Sequence, residues 1–484
     1  MAAVVQFKLS PWQYWAELCP NETAIIADNQ PISWQQLVCH INVLAQKFYK
    51  QGVRPQQTIL LRGKNHIHFI FALLAAFQCG AKVLPLNPQL PESLLDDLLP
   101  HLSIDFYADF SLPQLQFDAV LLDLDGIAYD ENAFEQQAAI TPAVEWDANR
   151  MATLILTSGS SGLPKAAVHT FNAHLCSAEG VLSLMPFNKG DRWLLSLPLF
   201  HVSGQGIFWR WLLRGATLVV RAMHPLTDAL QGCSHASLVP TQLWRLLHQD
   251  NHQNSHQNSH QDKPQFITLK SVLLGGAMIP IELTQAAEKW GIQCWCGYGM
   301  TEMASTVCAK RADGKAGVGL PLKGKTVRLV DNEIQIKSDS VALGYWFDGK
   351  LNPLSLTADD WYSTRDKGCF SADEWCILGR LDNLFFSAGE GIQPEDIEKI
   401  LNTHPKISQS FIVPIDDAEF GQRPVAVIDA DIDTVNQLPQ WYHSRLAGFQ
   451  RPVACLQLPN SLKNGGIKIS RKQVQKWVKD RLIC

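Results

Sequence analysis

The sequence predicts an α/β protein with a large N-terminal domain of mixed, mostly parallel sheets flanked by helices, plus a small, mobile C-terminal α+β domain. Short apolar runs rich in β-branched residues alternate with longer helix-like segments along most of the chain, which is typical of parallel sheets. From residue 327 this alternation gives way to a hairpin pattern and then to a shorter mixed stretch. The chain has 484 residues, more than one ordinary domain, and the predicted domains are residues 1–378 and 379–484.

Six short apolar runs are the predicted strands of the large domain. They are residues 58–61, 81–86, 119–122, 154–156, 217–220 and 271–274. Residues 65–80 carry an apolar helical pattern, and the most apolar run, residues 69–83, is interpreted as a buried helix. That run contains Gln78 and Lys82 and is too short to cross a bilayer comfortably, so no membrane span is expected.

Two local signals mark the last third of the chain. Residues 327–337 predict two strands around a tight turn at Asp331-Asn332, and therefore an antiparallel hairpin. A helix is predicted to begin at Pro394, because acidic residues follow in its first turn, where the helix dipole favours them.

One polar segment interrupts the α/β pattern. Residues 249–263 repeat Gln-Asn-Ser-His and contain no apolar residue, so they cannot contribute to a core. The segment is interpreted as a disordered surface insertion between a helix (242–248) and a strand (271–274). Its histidines leave metal binding open as the alternative.

Composition narrows the classes of partner. A net charge of −5 and a pI near 6.3 argue against nucleic acid as a partner, whereas a small anionic substrate needs only a few well-placed cations.

The N-terminus lacks the basic start, apolar stretch and cleavage pattern of a signal peptide. The twelve cysteines are scattered, and Cys294 and Cys296 have no second pair at zinc-finger spacing. We therefore expect reduced thiols in a cytoplasmic protein; a homo-oligomer stays open.

The strongest chemical signal is TSGSSGLPK, residues 157–165, which follows an apolar strand at residues 151–156. Its glycines allow close backbone approach to a ligand, and its hydroxyls, N–H groups and lysine can bind phosphate oxygens. The residues concerned are Thr157, Ser158, Gly159, Ser160, Ser161, Gly162 and Lys165. The spacing is not that of a Walker A loop, in which four residues separate the glycines and lysine follows directly. A Ser/Gly-rich surface turn is the alternative.

This loop resembles the phosphate loop of the adenylate-forming superfamily, which includes acyl-CoA synthetases, nonribosomal-peptide adenylation domains and firefly luciferase. Five further segments resemble motifs of that family in the family's order. They are LPLFHVSG (197–204), GYGMTE (297–302), YSTRDKG (362–368), GRLDN (379–383) and NGGIKISR (464–471). Six motifs in the right order are too specific to arise by chance.

The resemblance implies a nucleotide site for ATP with Mg²⁺. Glu302 would bind the metal, Thr301 would hydrogen-bond the α-phosphate, and Tyr298 would lie against the adenine. Asp366 would accept hydrogen bonds from the ribose hydroxyls, assisted by Arg380. The glycine-rich neighbours on the adenine side are Gly275, Gly276, Ala277, Gly297 and Gly299. Glu302 as a surface carboxylate, Tyr298 as a core aromatic and Arg380 in a structural ion pair remain the alternatives.

Lys468 is the residue that the resemblance assigns to adenylation. Attack of a carboxylate on the α-phosphate joins two anions, and a lysine at that point offsets the negative charge that develops. The tail is rich in lysine, so a solvated surface lysine is the alternative. Ile467 separates the glycines from Lys468, a departure from the commoner family form that puts the register of the lysine in doubt.

The second half-reaction, transfer of the acyl group to coenzyme A, would follow a rotation of the C-terminal domain about a hinge at Asp382. The loop at residues 387–392 would then face the acyl site. Gly389, Glu390 and Gly391 are its candidate contacts on the coenzyme A side.

The sequences of residues 197–211, 236–245 and 464–471 resemble those of family members that ligate 2-succinylbenzoate, an aromatic dicarboxylate, to coenzyme A in menaquinone synthesis. The benzoate carboxylate needs a cation or several donors, and Arg210 lies between two tryptophans in an apolar stretch. Ser237 and His201 are further candidates for this pocket. Arg210 as a structural cation and His201 as a core histidine are the alternatives.

The sequence bears on four other functions. The chain could ligate a different acid to coenzyme A, or it could load a carrier protein. An amino-acid-loading domain usually carries an aspartate near residue 200, where this chain has Ser203-Gly204-Gln205. A nucleotide-binding protein without catalysis should lack Glu302 or Lys468, and both are present. A dehydrogenase is excluded because no G-x-G-x-x-G opens a βαβ unit.

Overall fold

The computed structural model describes residues 7–112, 115–124, 144–157, 163–248, 268–387, 390–417, 420–463 and 469–482. The insertion predicted at residues 249–263 lies outside these ranges. The helices are α1 Pro11–Leu18, α2 Trp34–Lys50, α3 Ile67–Gln78, α4 Glu92–Leu98, α5 Phe171–Leu182, α6 Val202–Arg214, α7 Leu226–Ala229, α8 Pro240–His248, α9 Ile281–Lys289, α10 Pro394–Leu401, α11 Ile432–Tyr442, α12 Asn460–Lys463 and α13 Arg471–Leu482.

The strands of the N-terminal part are β1 Thr23–Ala27, β2 Gln30–Ser33, β3 Thr58–Arg62, β4 Lys82–Leu86, β5 Phe106–Asp109, β6 Val120–Leu121, β7 Met151–Leu156, β8 Ala166–Thr170, β9 Arg192–Leu194, β10 Thr217–Val220, β11 His235–Leu238, β12 Ser271–Leu274, β13 Gln293–Met300, β14 Ser305–Arg311, β15 Leu320–Pro321, β16 Lys325–Val330, β17 Glu333–Ser338, β18 Gly344–Phe347, β19 Lys350–Pro353, β20 Tyr362–Ser371 and β21 Glu374–Arg380. The remaining strands are β22 Phe385–Ser387, β23 Glu390–Ile392, β24 Gln409–Asp417, β25 Gly421–Asp429 and β26 Ala454–Gln457.

Two large mixed sheets form the N-terminal part. One has the order β15-β14-β13-β12-β11-β9-β10-β1-β2 and the other β19-β18-β8-β7-β4-β3-β5-β6. Parallel pairs fill the middle of the first sheet, from β13 to β1, and antiparallel pairs lie at its edges. One apolar core contains buried side chains from both sheets and from α2, α3, α5 and α6. The expected mixed, mostly parallel fold is confirmed.

Two smaller sheets complete the fold. A four-stranded antiparallel sheet, β16-β17-β20-β21, leads into a sheet formed by β22 to β26. This last sheet has a separate core on each face: Ile412 and Ile428 pack on one side, Val413 and Val427 on the other. The alternation follows the period of two expected along a strand covered on both faces. The small α+β unit thus has apolar cores of its own, apart from the large one.

The local sequence signals are largely confirmed. The turn at Asp331 and Asn332 has φ of +49° and +66°, as a tight hairpin between β16 and β17 requires. The helix predicted at Pro394 is α10. Interpretation of residues 69–83 as one helix is wrong at its end: α3 stops at Gln78, and Gly80 turns the chain at φ +83° into β4. None of the helices in the described ranges combines the length and apolar character that a bilayer crossing needs.

Two buried histidines lie where β8 meets α5. Their rings, His169 and His174, are 5.0 Å apart between centroids, and His174 also stacks on Trp209 at 5.1 Å. His174 Nε2 shares a 2.7 Å hydrogen bond with the Thr153 hydroxyl. Burial, and after it the neighbouring His169, lowers the pKa of His174 well below its ordinary value of 6.5. Both rings are therefore neutral in the folded protein at neutral pH.

We expect this pair to make the fold sensitive to mild acid. The unfolded chain takes up protons first as the pH falls through the ordinary histidine pKa, so stability is full above it and is lost progressively below it. His174→Gln keeps a hydrogen-bonding group for Thr153 but cannot titrate. The fall in thermal midpoint between about pH 7 and about pH 5 should be smaller in this variant than in the parent. His443→Gln, at an exposed position, is the control, and equal falls in all three proteins would contradict the prediction.

Candidate active site

The phosphate-loop motif connects two antiparallel strands of the eight-stranded sheet. β7 ends just before Thr157, and β8 begins just after Lys165. The Thr157 N–H donates to the Lys165 carbonyl at 2.8 Å, which closes the base of the connection. Residues 158–162, which carry the remaining loop residues of the prediction, lie outside the described ranges. The structure thus places the two ends of the loop side by side at the end of a sheet.

Candidate adenine residues come from the ends of neighbouring strands. Gly275 and Gly276 directly follow β12, which pairs in parallel with the β13 strand that carries the Gly-Tyr-Gly motif. A Cβ on Gly275 would lie 3.3 Å from the Gly297 carbonyl oxygen, and one on Gly299 would lie 2.1 Å from the Ser305 carbonyl oxygen. Only glycine fits at Gly299, so the backbone of β13 and β14 can close tightly beside Tyr298.

The ribose candidates form one polar chain. The Tyr298 hydroxyl donates to Asp366 Oδ2 at 2.5 Å, and Arg380 Nη1 donates to Asp366 Oδ1 at 3.1 Å. Burial, and after it the Asp366 carboxylate, raises the pKa of Tyr298 well above its ordinary value. Asp366 and Arg380 are direct partners across β20 and β21. The structure therefore brings together three of the residues predicted from separate motifs, and Arg380 also makes the ion pair that was its alternative role.

Glu302, the candidate metal ligand, sits in a short turn between β13 and β14. The Ala342 N–H donates to the Glu302 carbonyl, and the Tyr345 hydroxyl donates to Glu302 Oε1, each at 2.8 Å. The preceding residue, Thr301, offers its carbonyl to His169 Nε2 at 2.8 Å. Because the acceptor is a carbonyl, this ring nitrogen carries the proton, and burial lowers the pKa of His169 to about 4. The turn is thus fixed from two sides.

Arg210, the candidate cation for the acid substrate, lies buried in α6. Its Nη1 donates to the Ser237 hydroxyl at 3.5 Å, and its guanidinium lies 5.2 Å from the Trp193 ring centroid. A Cβ on Gly206 would come within 2.9 Å of Arg210 Nη2, so the glycine makes room for the guanidinium. Burial lowers the pKa of Arg210 to about 9. Among the described residues no carboxylate pairs with Arg210, which marks a place where an anion would be stabilised.

His201 stands at the entrance to the same helix. It precedes Val202 as the N-terminal flanking residue of α6, and its ring lies 4.8 Å from Phe200 in an edge-on contact. The structure brings Arg210 and Ser237 into contact.

The C-terminal candidates are only partly described. Lys468 and Gly389 lie outside the described ranges, whereas Glu390 and Gly391 are exposed in β23. Asp382 lies in the turn after β21 and pairs with Arg365 at 2.8 Å. This places Asp382 at the point where the four-stranded sheet passes into the last one.

Two residues near the site carried no signal in the sequence. Tyr345 touches Glu302 from a strand 43 residues further along the chain. Lys325 is buried, and a Cβ on Gly180 would lie 3.4 Å from its Nζ. Burial lowers the pKa of Lys325 to about 8, and the charge of Arg210 acts in the same direction. Neither residue belongs to a motif. Tyr345 reaches the site through the pairing of β18 with β8, which the sequence does not reveal.

Known proteins resemble this chain over nearly its whole length. The 2-succinylbenzoate–CoA ligase of Salmonella typhimurium is 51% identical over 477 residues, which are 97% of this chain and 97% of that protein. The enzyme of the same name from Escherichia coli is 49% identical over 476 residues, 97% of this chain and 98% of that one. A solved structure of an arginine-to-lysine variant of E. coli MenE with bound OSB-AMS is 46% identical, with a TM-score of 0.88 over 99% of this chain and 100% of that chain.

The match to the AMP-binding enzyme family extends over residues 12–346 and includes the phosphate-loop, acid-pocket and Gly-Tyr-Gly segments. This confirms the resemblance to the adenylate-forming enzymes that the motifs predicted. Because this match covers more than half of the chain, the chain belongs to the AMP-binding enzyme family, and within it is similar to 2-succinylbenzoate–CoA ligases at 51% and 49% identity.

Proposed function

We propose that this protein is an ATP-dependent acid–CoA ligase that joins 2-succinylbenzoate to coenzyme A in menaquinone synthesis. The acid is first activated as an acyl-adenylate with release of pyrophosphate, and the thiol of coenzyme A then displaces AMP. The observation that supports this choice of acid is the buried Arg210, which has no carboxylate partner among the described residues. The second carboxylate of the substrate would form an ion pair with it. Relatives that bear the name of this ligase at 51% and 49% identity support the assignment.

The nucleotide would lie between the phosphate loop, Glu302 and Asp366. Glu302 would hold Mg²⁺ together with phosphate oxygens and water, a ligand set that this metal prefers to an all-protein cage. The described residues fit this arrangement, since they contain no cluster of three or more potential metal ligands and present a single carboxylate at the turn. Thr301 would bind the α-phosphate, and Asp366 with Arg380 would bind the ribose.

The acid would enter with its aliphatic carboxylate toward the α-phosphate. Its benzoate carboxylate would reach Arg210 and Ser237, with His201 near the entrance. Lys468 would offset the charge that builds up as the two anions meet. The chemistry then needs only positioning and charge stabilisation, as is typical of phosphoryl and adenylyl transfer.

Transfer to coenzyme A would use a second arrangement of the same chain. We propose that residues 379–484 form a mobile domain that turns about Asp382 and brings Gly389, Glu390 and Gly391 to the coenzyme A side. Cysteines within the described ranges are all unpaired, which supports a reducing, cytoplasmic location.

The reaction is tested by pyrophosphate release with ATP and Mg²⁺ in the presence of 2-succinylbenzoate, benzoate, a fatty acid or an amino acid. We expect release with 2-succinylbenzoate alone among these acids, and a thioester product only when coenzyme A is added. Release with another acid instead would retain an acid–CoA ligase and exclude this substrate. No release with any of them would argue against catalysis by this chain.

Lys468→Ala should separate the two half-reactions. We expect adenylation to fall by about 100-fold or more, because one preorganised charge in such a site contributes on this scale. Thioester formation from supplied acyl-adenylate should remain, since coenzyme A attack needs no charge at that position. Lys472→Ala, at an exposed position in α13, is the matched control and should leave both rates unchanged. Equal losses in both half-reactions of the Lys468→Ala variant would contradict the assignment of Lys468 to adenylation.

Arg210→Ala should weaken the recognition of the diacid. Loss of a charge-assisted hydrogen bond of roughly 1.5–3 kcal/mol predicts a KM for 2-succinylbenzoate raised about 10- to 100-fold, with the KM for ATP nearly unchanged. The matched substrate is 4-oxo-4-phenylbutanoate, which lacks the benzoate carboxylate and should be used equally well by variant and parent. If the KM values for both acids rise equally in the variant, Arg210 has a structural role and does not bind the benzoate carboxylate.

A further inference from the structure

Tyr345 is placed beside the phosphate loop by strand pairing. β18, which carries Tyr345, runs antiparallel to β8, and Tyr345 lies opposite Ala167. β8 begins immediately after Lys165, the last residue of the loop motif. A tyrosine that is remote in the sequence therefore stands next to the exit of the loop.

The hydroxyl of Tyr345 is committed to Glu302. It donates to Glu302 Oε1 at 2.8 Å, and the Ala342 N–H, three residues earlier, donates to the Glu302 carbonyl at 2.8 Å. One segment thus fixes both the backbone and the side chain of Glu302. Within the described ranges Tyr345 is the only hydrogen-bond partner found for this carboxylate, so its second oxygen is left available.

The ring of Tyr345 contacts the other charged group of the site. Lys165 Nζ lies 5.0 Å from the ring centroid, within the range of a cation–π interaction. Lys165 is exposed, so a fixed aromatic face would limit where its ammonium can go. Tyr345 therefore touches both the candidate metal carboxylate and the candidate phosphate cation.

The direction of the hydrogen bond is set by electrostatics. An ionised carboxylate can only accept hydrogen bonds, whereas a phenol hydroxyl can donate one. Tyr345 is therefore the donor in the 2.8 Å contact, and Glu302 is the acceptor.

We propose that Tyr345 is a positioning residue for the metal–nucleotide: its hydroxyl holds one oxygen of Glu302 so that the other faces the metal, and its ring holds Lys165 toward the phosphates. The proposal deepens the proposed function and rests on Glu302 as the metal carboxylate. Hydrogen-bond partners of metal-binding carboxylates fix their orientation, and their loss typically weakens metal affinity by about 10- to 100-fold.

Tyr345→Phe isolates the hydroxyl, since the ring and its contact with Lys165 remain. The probe is Mn²⁺ with ATP, and the concentration of free Mn²⁺ is measured by electron paramagnetic resonance. The acid and coenzyme A are left out so that no turnover occurs. We expect Mn²⁺·ATP binding to weaken by about 10-fold or more, while metal-free ATP, measured by calorimetry in chelator, binds as it does to the parent. Tyr345→Leu should weaken both, because it also removes the face under Lys165.

The matched control is Tyr107→Phe, in β5 of the same sheet, whose hydroxyl donates to the Leu115 carbonyl at 3.2 Å far along the sheet from β18. It should bind both ligands like the parent. A Tyr345→Phe protein with the parent's affinity for Mn²⁺·ATP would overturn the role of Tyr345 alone. A parent protein that binds no Mn²⁺·ATP would overturn the nucleotide site itself, and the two failures are thereby distinguished.

Discussion

The hydrogen bond from Tyr298 to Asp366 joins the nine-stranded sheet to the four-stranded sheet, and the arrangement of the site depends on it. Tyr298 belongs to β13 and Asp366 to β20, so this polar contact connects the two sheets beside the apolar cluster that they share. A buried carboxylate without donors would be costly, and here a phenol and a guanidinium supply them. The groups proposed for adenine and ribose are therefore held at a fixed spacing by their own hydrogen bonds.

A second constraint acts on the acid side. Arg210 is buried under aromatic side chains and carries a charge that the described residues do not neutralise. Lys325, also buried, adds positive charge in the same region. Burying positive charge is costly, and an anion placed beside these cations would offset part of that cost. The same feature would favour an acid with a second carboxylate.

Sequence reasoning succeeded where the signal is local. The turn at Asp331-Asn332, the helix at Pro394 and the strand before Thr157 depend on neighbouring residues, and all three stand in the structure. The end of α3 was misplaced because apolar character continues from a buried helix into a buried strand, and only the left-handed Gly80 separates them. The contacts of Tyr345 and Arg210 could not be foreseen, because each depends on strand order and on which face of an element turns inward. The family resemblance supplied candidate roles for Asp366 and Arg380, and the apolar surroundings of Arg210 in the sequence suggested its role, but the distances between these side chains and their partners came only with the fold.

The proposed hinge at Asp382 would let one site serve two reactions. Asp382 is bound by Arg365 at 2.8 Å and lies 3.8 Å from Arg380, and these side chains are well exposed. Exposed ion pairs contribute little, about 0–1 kcal/mol, because water and salt compete for the charges. By contrast, Asp366 is buried and Tyr298 is partly buried, and each would have to lose its partner to move. Rotation about Asp382 would therefore break exposed ion pairs, whereas Tyr298 and Asp366, which both precede residue 379, would keep their mutual hydrogen bond.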